Sequence, residues 1–105
     1  MCPMIFALSN PTSKSECTVE EAETHTNGRA IFTSGSPFEN YVDNLGETTF
    51  SNTAYNAYVT PGLTRALTIG DIRKLTDELY FEATLAITDM LSENCKKIKK
   101  IYPEI

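Results

Sequence analysis

Short apolar runs and one helix-like segment alternate in the first third of the chain. Residues 3–9 are almost continuously apolar, which predicts a strand that is buried on both faces. Thr18 and Glu21 have the spacing of a capping box, so a helix of about two turns is expected to follow. Asn27–Gly28 tolerates positive φ and is expected to close that helix before a second strand at residues 29–33. Strand, helix and strand in this order predict an α/β fold with a parallel sheet.

The second half of the chain predicts a loop followed by helices. Residues 38–53 are mostly polar and are expected to form a loop. Residues 54–69 predict a helix that Pro61 should kink or break, because proline removes a backbone donor. A second helix, with Asp71 or Thr76 as its cap, is indicated by apolar residues at three- and four-residue steps. This apolar stripe consists of Ile72, Leu75, Leu79, Ala83, Ala86, Ile87, Met90 and Leu91.

Size and charge restrict the class of protein. A chain of 105 residues with 41% hydrophobic residues suits one small domain with a modest core. The net charge of −5 gives no electrostatic reason to bind nucleic acid or anionic lipid. The sequence contains no apolar run near the roughly 20 residues that cross a bilayer, and residues 1–9 do not resemble a secretory signal. We therefore expect no membrane association and a location in the cytoplasm or in a mitochondrial or other organelle matrix.

Acidic residues, cysteines and the single histidine give little indication of catalysis. Three scattered cysteines and one histidine lack the spacing of a zinc site and fit a reducing compartment. Glu20, Glu21 and Glu23 lie at the front of the first predicted helix, where acidic residues complement the helix dipole. We interpret all three as surface residues, and we expect no metal ligands in this chain.

Both predicted strands end at small polar residues, at the edge where parallel α/β sheets bind ligands. Asn10 follows the first strand, and Ser34, Gly35 and Ser36 follow the second. The Ser-Gly-Ser string has one glycine where a dinucleotide fingerprint needs three, so it indicates a tight turn. Asn10 and Asn56 carry amides that can bind a carboxylate or a carboxamide. From the residues alone, a role in turns remains the favoured interpretation of both.

Several strings, taken in order and with their spacing, resemble the malic enzyme family. The resemblance continues without an obvious insertion through Tyr58, Arg73, Glu82 and Tyr102–Pro103 and so covers nearly the whole chain. The strings that carry it most specifically are Ile5–Lys14, Glu16–Thr18, Gly28–Phe32 and Ser34–Phe38.

The resemblance implies that residues 1–105 are part of a Rossmann-like NAD(P)-binding domain. Such enzymes oxidise L-malate with NAD or NADP and decarboxylate the product to pyruvate, with Mg²⁺ or Mn²⁺ as Lewis acid. The family's base, acid, metal ligands, substrate arginine and glycine-rich fingerprint are expected to precede the first residue of this sequence. The chain by itself is therefore expected to be inactive, and the full-length family is expected to be homo-oligomeric.

A few site residues carry over from the family to this sequence. The resemblance implies that Asn10 contacts malate and lies beside the nicotinamide, and we expect Ser34 and Gly35 on the cofactor side. The family's Gly-Asn-Asn segment reads Ala54-Tyr55-Asn56 here, so Asn56 is a second expected malate contact. Tyr55 replaces the other asparagine and is larger, which changes the substrate geometry on that side.

A second class of function remains open. A truncated, non-catalytic Rossmann-like remnant would act as a binding or interaction module. Sheet edges and apolar helix faces would be exposed in such a domain. We expect self-association or poor solubility of the isolated chain in that case.

Overall fold

A computed structural model of the chain describes residues 1–103. Short 3₁₀ turns at Thr12–Lys14 and Asn56–Tyr58 connect the regular elements. In chain order, the regular elements are β1 (Met4–Ala7), α1 (Val19–Thr26), β2 (Ile31–Ser34), β3 (Tyr41–Val42), β4 (Thr48–Thr49), β5 (Asn52–Thr53), α2 (Thr60–Ile69), α3 (Asp77–Asp89) and α4 (Glu93–Lys97).

The three-stranded sheet is parallel, with the order β1-β2-β5. Met4 lies opposite Ile31 and Ala7 opposite Ser34, so β1 and β2 are paired along their whole length. Thr33 pairs with Asn52, which places β5 on the other side of β2. The predicted parallel α/β architecture is confirmed, and it is a partial Rossmann-like fold.

Helix α1 forms where the capping box predicts it. Thr18 Oγ1 accepts a hydrogen bond from the Glu21 amide at 3.1 Å, and Glu21 Oε2 accepts one from the Thr18 amide at 2.8 Å. Both contacts satisfy N–H groups that have no partner within the helix. The helix ends at Thr26 and is capped by Asn27, which adopts the left-handed conformation with φ 53°.

A small core lies between α1 and one face of the sheet. Phe32 at its centre meets Phe38 edge to face, with ring centroids 5.8 Å apart. The buried apolar members of this core are Ala7, Val19, Ala22, Ala30 and Phe32.

Strand β1 is not buried on both faces, which corrects the prediction made from its apolar sequence. Ala7 is buried beneath α1, but Met4 is 57% exposed and Phe6 is 46% exposed. Side chains alternate between the two faces of a strand, and α1 covers only one face of this sheet. The strand is also at the edge of the sheet. An apolar run of this length therefore marks a strand without showing how many of its faces are covered.

The predicted loop at residues 38–53 is wrong in part, because it contains a hairpin and the third strand of the sheet. Tyr41 of β3 pairs with Thr49 of β4 in antiparallel register. Asp43 Oδ1 accepts hydrogen bonds from the amides of Leu45 and Glu47, each at 2.8 Å, and so organises the turn. Strands of two residues are too short to show a period in the sequence.

The helix predicted for residues 54–69 begins later. Its first part is a 3₁₀ turn, and α2 starts at Thr60 with Pro61 in the first turn. There the missing proline N–H has no helical partner to lose, so Pro61 begins the helix and does not break it.

The helix predicted from Ile72 begins five residues later, at Asp77, with Thr76 at its N-cap position. No residue of α2 or α3 is buried, and Phe81 of α3 is 62% exposed. In residues 1–103, no helix is both long enough and apolar enough to cross a membrane.

Glu23 is not a surface residue, unlike Glu20 and Glu21. It is only 4% exposed, whereas the other two lie on the surface. Val19, Ala22 and Glu23 are spaced three and four positions apart, so they share the face of α1 that packs against the rest of the chain. A carboxylate can therefore lie on the buried face of a helix while neighbouring residues in the sequence are exposed to solvent.

We predict that Thr18→Ala lowers the free energy of unfolding by about 1 kcal/mol, because the orphan amide of Glu21 loses its acceptor. Urea unfolding followed by circular dichroism measures this. Thr84→Ala is the control, because Thr84 lies inside α3 and alanine favours a helix interior. Equal losses in the two variants would contradict the capping role.

Candidate functional site

The carboxyl ends of the three parallel strands meet at one edge of the sheet. The Gly35 amide donates to the Ala7 carbonyl at 2.9 Å, which joins the ends of β1 and β2. The Ala54 amide donates to the Ser34 carbonyl at 2.9 Å, which joins the ends of β2 and β5. The residues that follow these strands are therefore neighbours in space, as expected for the ligand-binding edge of an open parallel sheet.

Gly35 allows β1 and β2 to approach closely at this edge. A Cβ atom at this position would lie 2.2 Å from the Leu8 carbonyl oxygen and 2.7 Å from its carbon. It would also lie 3.1 Å from Nδ2 of Asn10. No larger residue fits here without moving the backbone, so the absence of a side chain is a requirement of the site.

Hydrogen bonds hold both the side chain of Asn10 and the residue that precedes it. Asn10 Oδ1 accepts a hydrogen bond from the hydroxyl of Ser36, a residue that is itself buried. This contact uses the amide oxygen and orients the amide nitrogen. The preceding residue is also fixed, because the amide and hydroxyl of Ser9 both donate to the Glu16 carboxylate, at 3.3 and 2.5 Å. The hydrogen bond from the Ser9 hydroxyl lowers the pKa of Glu16.

Asn10 and Asn56 line the same cleft, which has a volume of about 390 Å³. Neither amide carries a charge, and none of the other lining side chains is charged. Such a lining can donate to a carboxylate or carboxamide and accept from a hydroxyl. The residues that line it are Leu8, Asn10, Gly35, Ala54, Tyr55 and Asn56.

Tyr55 forms one wall of the cleft and belongs to an aromatic row. Its ring lies 6.2 Å from that of Tyr58, which stacks on Tyr102 at 5.1 Å. The Tyr58 hydroxyl donates to the Pro103 carbonyl at 2.7 Å, and burial raises the pKa of Tyr58. Tyr55 is 42% exposed, so its side chain is accessible to a ligand at the cleft.

Ser34 lies beneath the cleft and is not one of its lining residues. Its side chain is fully buried, and its hydroxyl contacts the carbonyls of Ser36 at 2.6 Å and Asn52 at 3.2 Å. These contacts shape the turn that carries Gly35. Ser34 is a candidate from the sequence because it lies at the end of a predicted strand, but that position does not show which way its side chain points.

Two supporting residues, Ser36 as a partner of Asn10 and Glu16 as a partner of Ser9, were not assigned from the sequence. The contact between Ser36 and Asn10 spans 26 positions and the contact between Glu16 and Ser9 spans 7. Neither spacing belongs to a regular element, so neither pair leaves a periodic signal. Only the resemblance of the surrounding strings suggests that these segments form one site.

Candidate metal ligands do not cluster in the described part of the chain. No group of three or more histidine, cysteine, aspartate or glutamate residues within residues 1–103 is arranged to hold a metal ion. Cys2, Cys17 and Cys95 are free thiols.

The parallel sheet, the helix that connects its first two strands and the cleft at the strand ends are those of part of a Rossmann-like α/β domain. Sequence comparison matches residues 1–105 to the family described as malic enzyme, NAD binding domain. The chain belongs to the malic enzyme family.

Individual relatives give the same result. A mitochondrial NAD-dependent malic enzyme of Ascaris suum is 43% identical over 103 residues, which are 98% of this chain and 16% of that protein. An NADP-dependent malic enzyme of Vitis vinifera is 46% identical over 101 residues, 96% of this chain and 17% of the relative. A chloroplastic NADP-dependent malic enzyme of Solanum lycopersicum is 47% identical over 102 residues, 96% of this chain and 18% of the relative. The chain thus spans less than a fifth of the length of these curated relatives.

We predict that Gly35→Ala lowers the free energy of unfolding by at least about 2 kcal/mol, because the new methyl group collides with the Leu8 backbone. Urea unfolding measures the loss. Gly62→Ala is the matched control, since a Cβ at position 62 meets nothing within 4 Å and alanine favours a helix. A loss below 0.5 kcal/mol at position 35, on the order of an ordinary surface change, would show that the two strand ends are not in close contact.

We predict that the stabilising effect of Glu16 depends on pH. The folded-state pKa of Glu16 lies below its usual value of 4.5, so the carboxylate contributes stability above that value. The contribution is lost as the pH falls through the lowered pKa. The difference in unfolding free energy between the unmodified chain and the Glu16→Gln variant should therefore be nearly constant from about pH 5 to about pH 7, above the ordinary pKa of a glutamate. It should shrink as the pH is lowered further.

Ser9→Ala is the background that isolates this contact. Without the Ser9 hydroxyl, the effect of Glu16→Gln should become smaller and less dependent on pH, because the principal cause of the lowered pKa is removed. An effect of Glu16→Gln that is the same in both backgrounds would exclude the Ser9 contact as its origin.

Proposed function

We propose that residues 1–105 form part of a larger NAD(P)-binding domain and supply one side of a malate and cofactor cleft. The complete protein would be an NAD- or NADP-dependent malate dehydrogenase that decarboxylates its product to pyruvate. Family membership supports the assignment, as do the names of the relatives, which include both NAD- and NADP-dependent malic enzymes. Because the two kinds of relative are about equally similar to this chain, either cofactor fits.

The observation on which the proposal depends is that Asn10 and Asn56 line one cleft at the carboxyl ends of the strands. In the proposed complex, the Asn10 amide nitrogen donates to a malate carboxylate, while its oxygen is held by Ser36. Asn56 donates to the same substrate from the opposite segment. Two neutral donors orient a dicarboxylate without the cost of burying a charged side chain.

The cofactor side of the cleft is assigned to Asn10 and Gly35, with Ser34 as the residue that fixes the turn. NAD or NADP, when bound, supplies the acceptor for the hydride that leaves the hydroxyl-bearing carbon of malate. Gly35 leaves its backbone uncovered at the cleft, and the buried Ser34 hydroxyl keeps that backbone in place through the Ser36 and Asn52 carbonyls. Both features suit a site in which a flat ring must lie close to the protein backbone.

A divalent metal does not fit the residues of this cleft. The lining offers amides, a phenol and apolar groups but no carboxylate, whereas protein sites for Mg²⁺ usually contain one or two carboxylates. None of the residues that line this cleft is therefore assigned to a metal site. In the proposed enzyme, the metal ligands, general base and general acid come from other parts of the longer protein.

Tyr55 is proposed to restrict the substrate side of the cleft. Its phenol can donate a hydrogen bond as an amide does, but the ring occupies more of the space beside Asn56. We therefore expect Tyr55→Asn to bind malate more tightly than the unmodified chain.

We predict that L-malate binds weakly to the chain and shifts the NMR signals of the side-chain amides of Asn10 and Asn56. Asn10→Ala should weaken this binding about tenfold, the effect of losing one hydrogen bond to a charged group. Asn44→Ala is the control, because Asn44 is an exposed asparagine in the β3–β4 turn. We expect no pyruvate from the chain with malate, Mn²⁺ and NAD or NADP.

A different result would favour the interaction-module alternative. Met4, Phe6 and Leu8 form an exposed apolar row on the uncovered face of β1, which suits association with another protein surface. Malate that shifts neither amide, together with self-association seen by analytical ultracentrifugation, would support that function and contradict the malate site.

A further inference from the structure

Tyr58 and Tyr102–Pro103, which belong to the strings that resemble the malic enzyme family, lie together in the structure. The Tyr58 hydroxyl donates to the Pro103 carbonyl at 2.7 Å, a contact that spans 45 positions of the sequence. The Tyr58 ring stacks on that of Tyr102, with centroids 5.1 Å apart and an angle of 18° between the planes. None of the three residues lines the cleft of Asn10 and Asn56. They connect the segment that carries Asn56 to the C-terminal part of the described chain.

Asn56 lies in the 3₁₀ turn Asn56–Tyr58, which follows β5. Two backbone hydrogen bonds of 3.1 Å close this turn internally. Tyr55, Asn56 and Ala57 are exposed, whereas Tyr58 is half-buried. Tyr58 is therefore the residue through which the turn packs against a segment that is distant in sequence.

The segment that receives Tyr58 is itself fixed to the sheet. Asn52 of β5 is only 4% exposed, and its amide nitrogen donates to the carbonyls of Phe32 at 2.9 Å and Lys99 at 3.0 Å. Its amide oxygen accepts a hydrogen bond from the Ile101 amide at 2.9 Å. A buried amide with both ends engaged ties its partners together, because each lost contact would leave a buried polar group unpaired. We call residues 99–103 the C-terminal strap.

The turn and the strap touch through few groups. Both border a cavity of about 360 Å³, which Tyr55, Tyr58 and Tyr102 help to line together with the end of β5. Side chains that face a cavity lack packing partners on that side. The position of the turn relative to the strap therefore depends on the hydrogen bond and the ring stack of Tyr58.

We infer that Tyr58 is a positioning residue for Asn56, and that the C-terminal strap thereby sets the geometry of the substrate side of the cleft. The inference rests on the proposed malate site, in which Asn56 donates to the substrate. An amide on an exposed turn binds only in the fraction of molecules in which the turn has the correct orientation. The stack and the hydrogen bond of Tyr58 raise that fraction without touching the ligand.

Tyr58→Phe and Tyr102→Phe are a matched pair of variants, since each removes one hydroxyl and keeps the ring. Of the two hydroxyls, that of Tyr58 is the one with a hydrogen-bond partner among residues 1–103. The test measures ¹⁵N relaxation of the Asn56 amides in each labelled variant, and the dissociation constant of L-malate from the shifts of the Asn10 side-chain amide.

Tyr58→Phe should lower the order parameter of Asn56 and weaken malate binding about threefold, the effect of one lost neutral hydrogen bond. Tyr102→Phe should alter neither quantity. The order parameters of Asn10 and Gly35 should stay unchanged in both variants. This local response separates positioning from a general loss of stability, which would loosen the whole cleft.

The mobility of Asn56 is measured without a ligand, so it tests the positioning role even if malate shifts neither cleft amide. That result would contradict the proposed function alone. Should Tyr58→Phe fail to fold, Tyr102→Leu, which removes the ring stack, should raise the mobility of Asn56 in the same way. The inference is overturned if Asn56 is equally ordered in the two phenylalanine variants, or if its order falls while the affinity for malate is unchanged.

Discussion

The close contact between the Gly35 backbone and the Leu8 carbonyl is the constraint on which the cleft depends. It is possible only because β1 and β2 are parallel and end together, with Ala7 opposite Ser34. The same edge receives the end of β5 through the hydrogen bond from Ala54 to Ser34. Three chain segments that are far apart in sequence are thereby brought to one cleft, and each contributes short polar or small residues.

Around this contact, most polar groups have a positioning role. Ser34 holds the turn after β2, Ser36 holds the amide of Asn10, and Glu16 holds Ser9. Asn52 extends the same network, since its amide donates to the carbonyls of Phe32 and Lys99 and accepts from the Ile101 amide. The C-terminal segment is therefore fastened to the strand that leads into Tyr55 and Asn56. Apart from the Glu16 carboxylate, the groups in this network are neutral, and the side-chain nitrogens of Asn10 and Asn56 are left to contact a ligand.

Local signals in the sequence predicted the parts of the fold that local interactions determine. The capping box of Thr18 and Glu21 predicted the start of α1, and the strand-helix-strand order predicted the parallel sheet. Features set by distant contacts were not predictable. The coverage of β1 depends on what packs against its second face, and the two-residue strands near Tyr41 and Thr49 exist only because they pair with each other.

The same distinction between local and distant contacts applies to the candidate site and to Glu23. The resemblance to malic enzymes predicts Asn10 and Asn56 as malate contacts, but no spacing in the sequence indicates that they line one cleft. The prediction for Glu23 was wrong for the same reason. Its position near the start of α1 indicated a solvated charge, but the residue lies on the buried face of the helix.

The most direct measurement of the central claim is a set of NOE contacts and amide exchange rates in the isotopically labelled chain. The account predicts a contact between the Asn10 side-chain amide and the Gly35 Hα protons, together with slow exchange of the Gly35 and Ala54 amides. An Asn10 amide without such a contact, with rapid exchange at both backbone amides, would mean that the strand ends do not meet and would contradict the cleft.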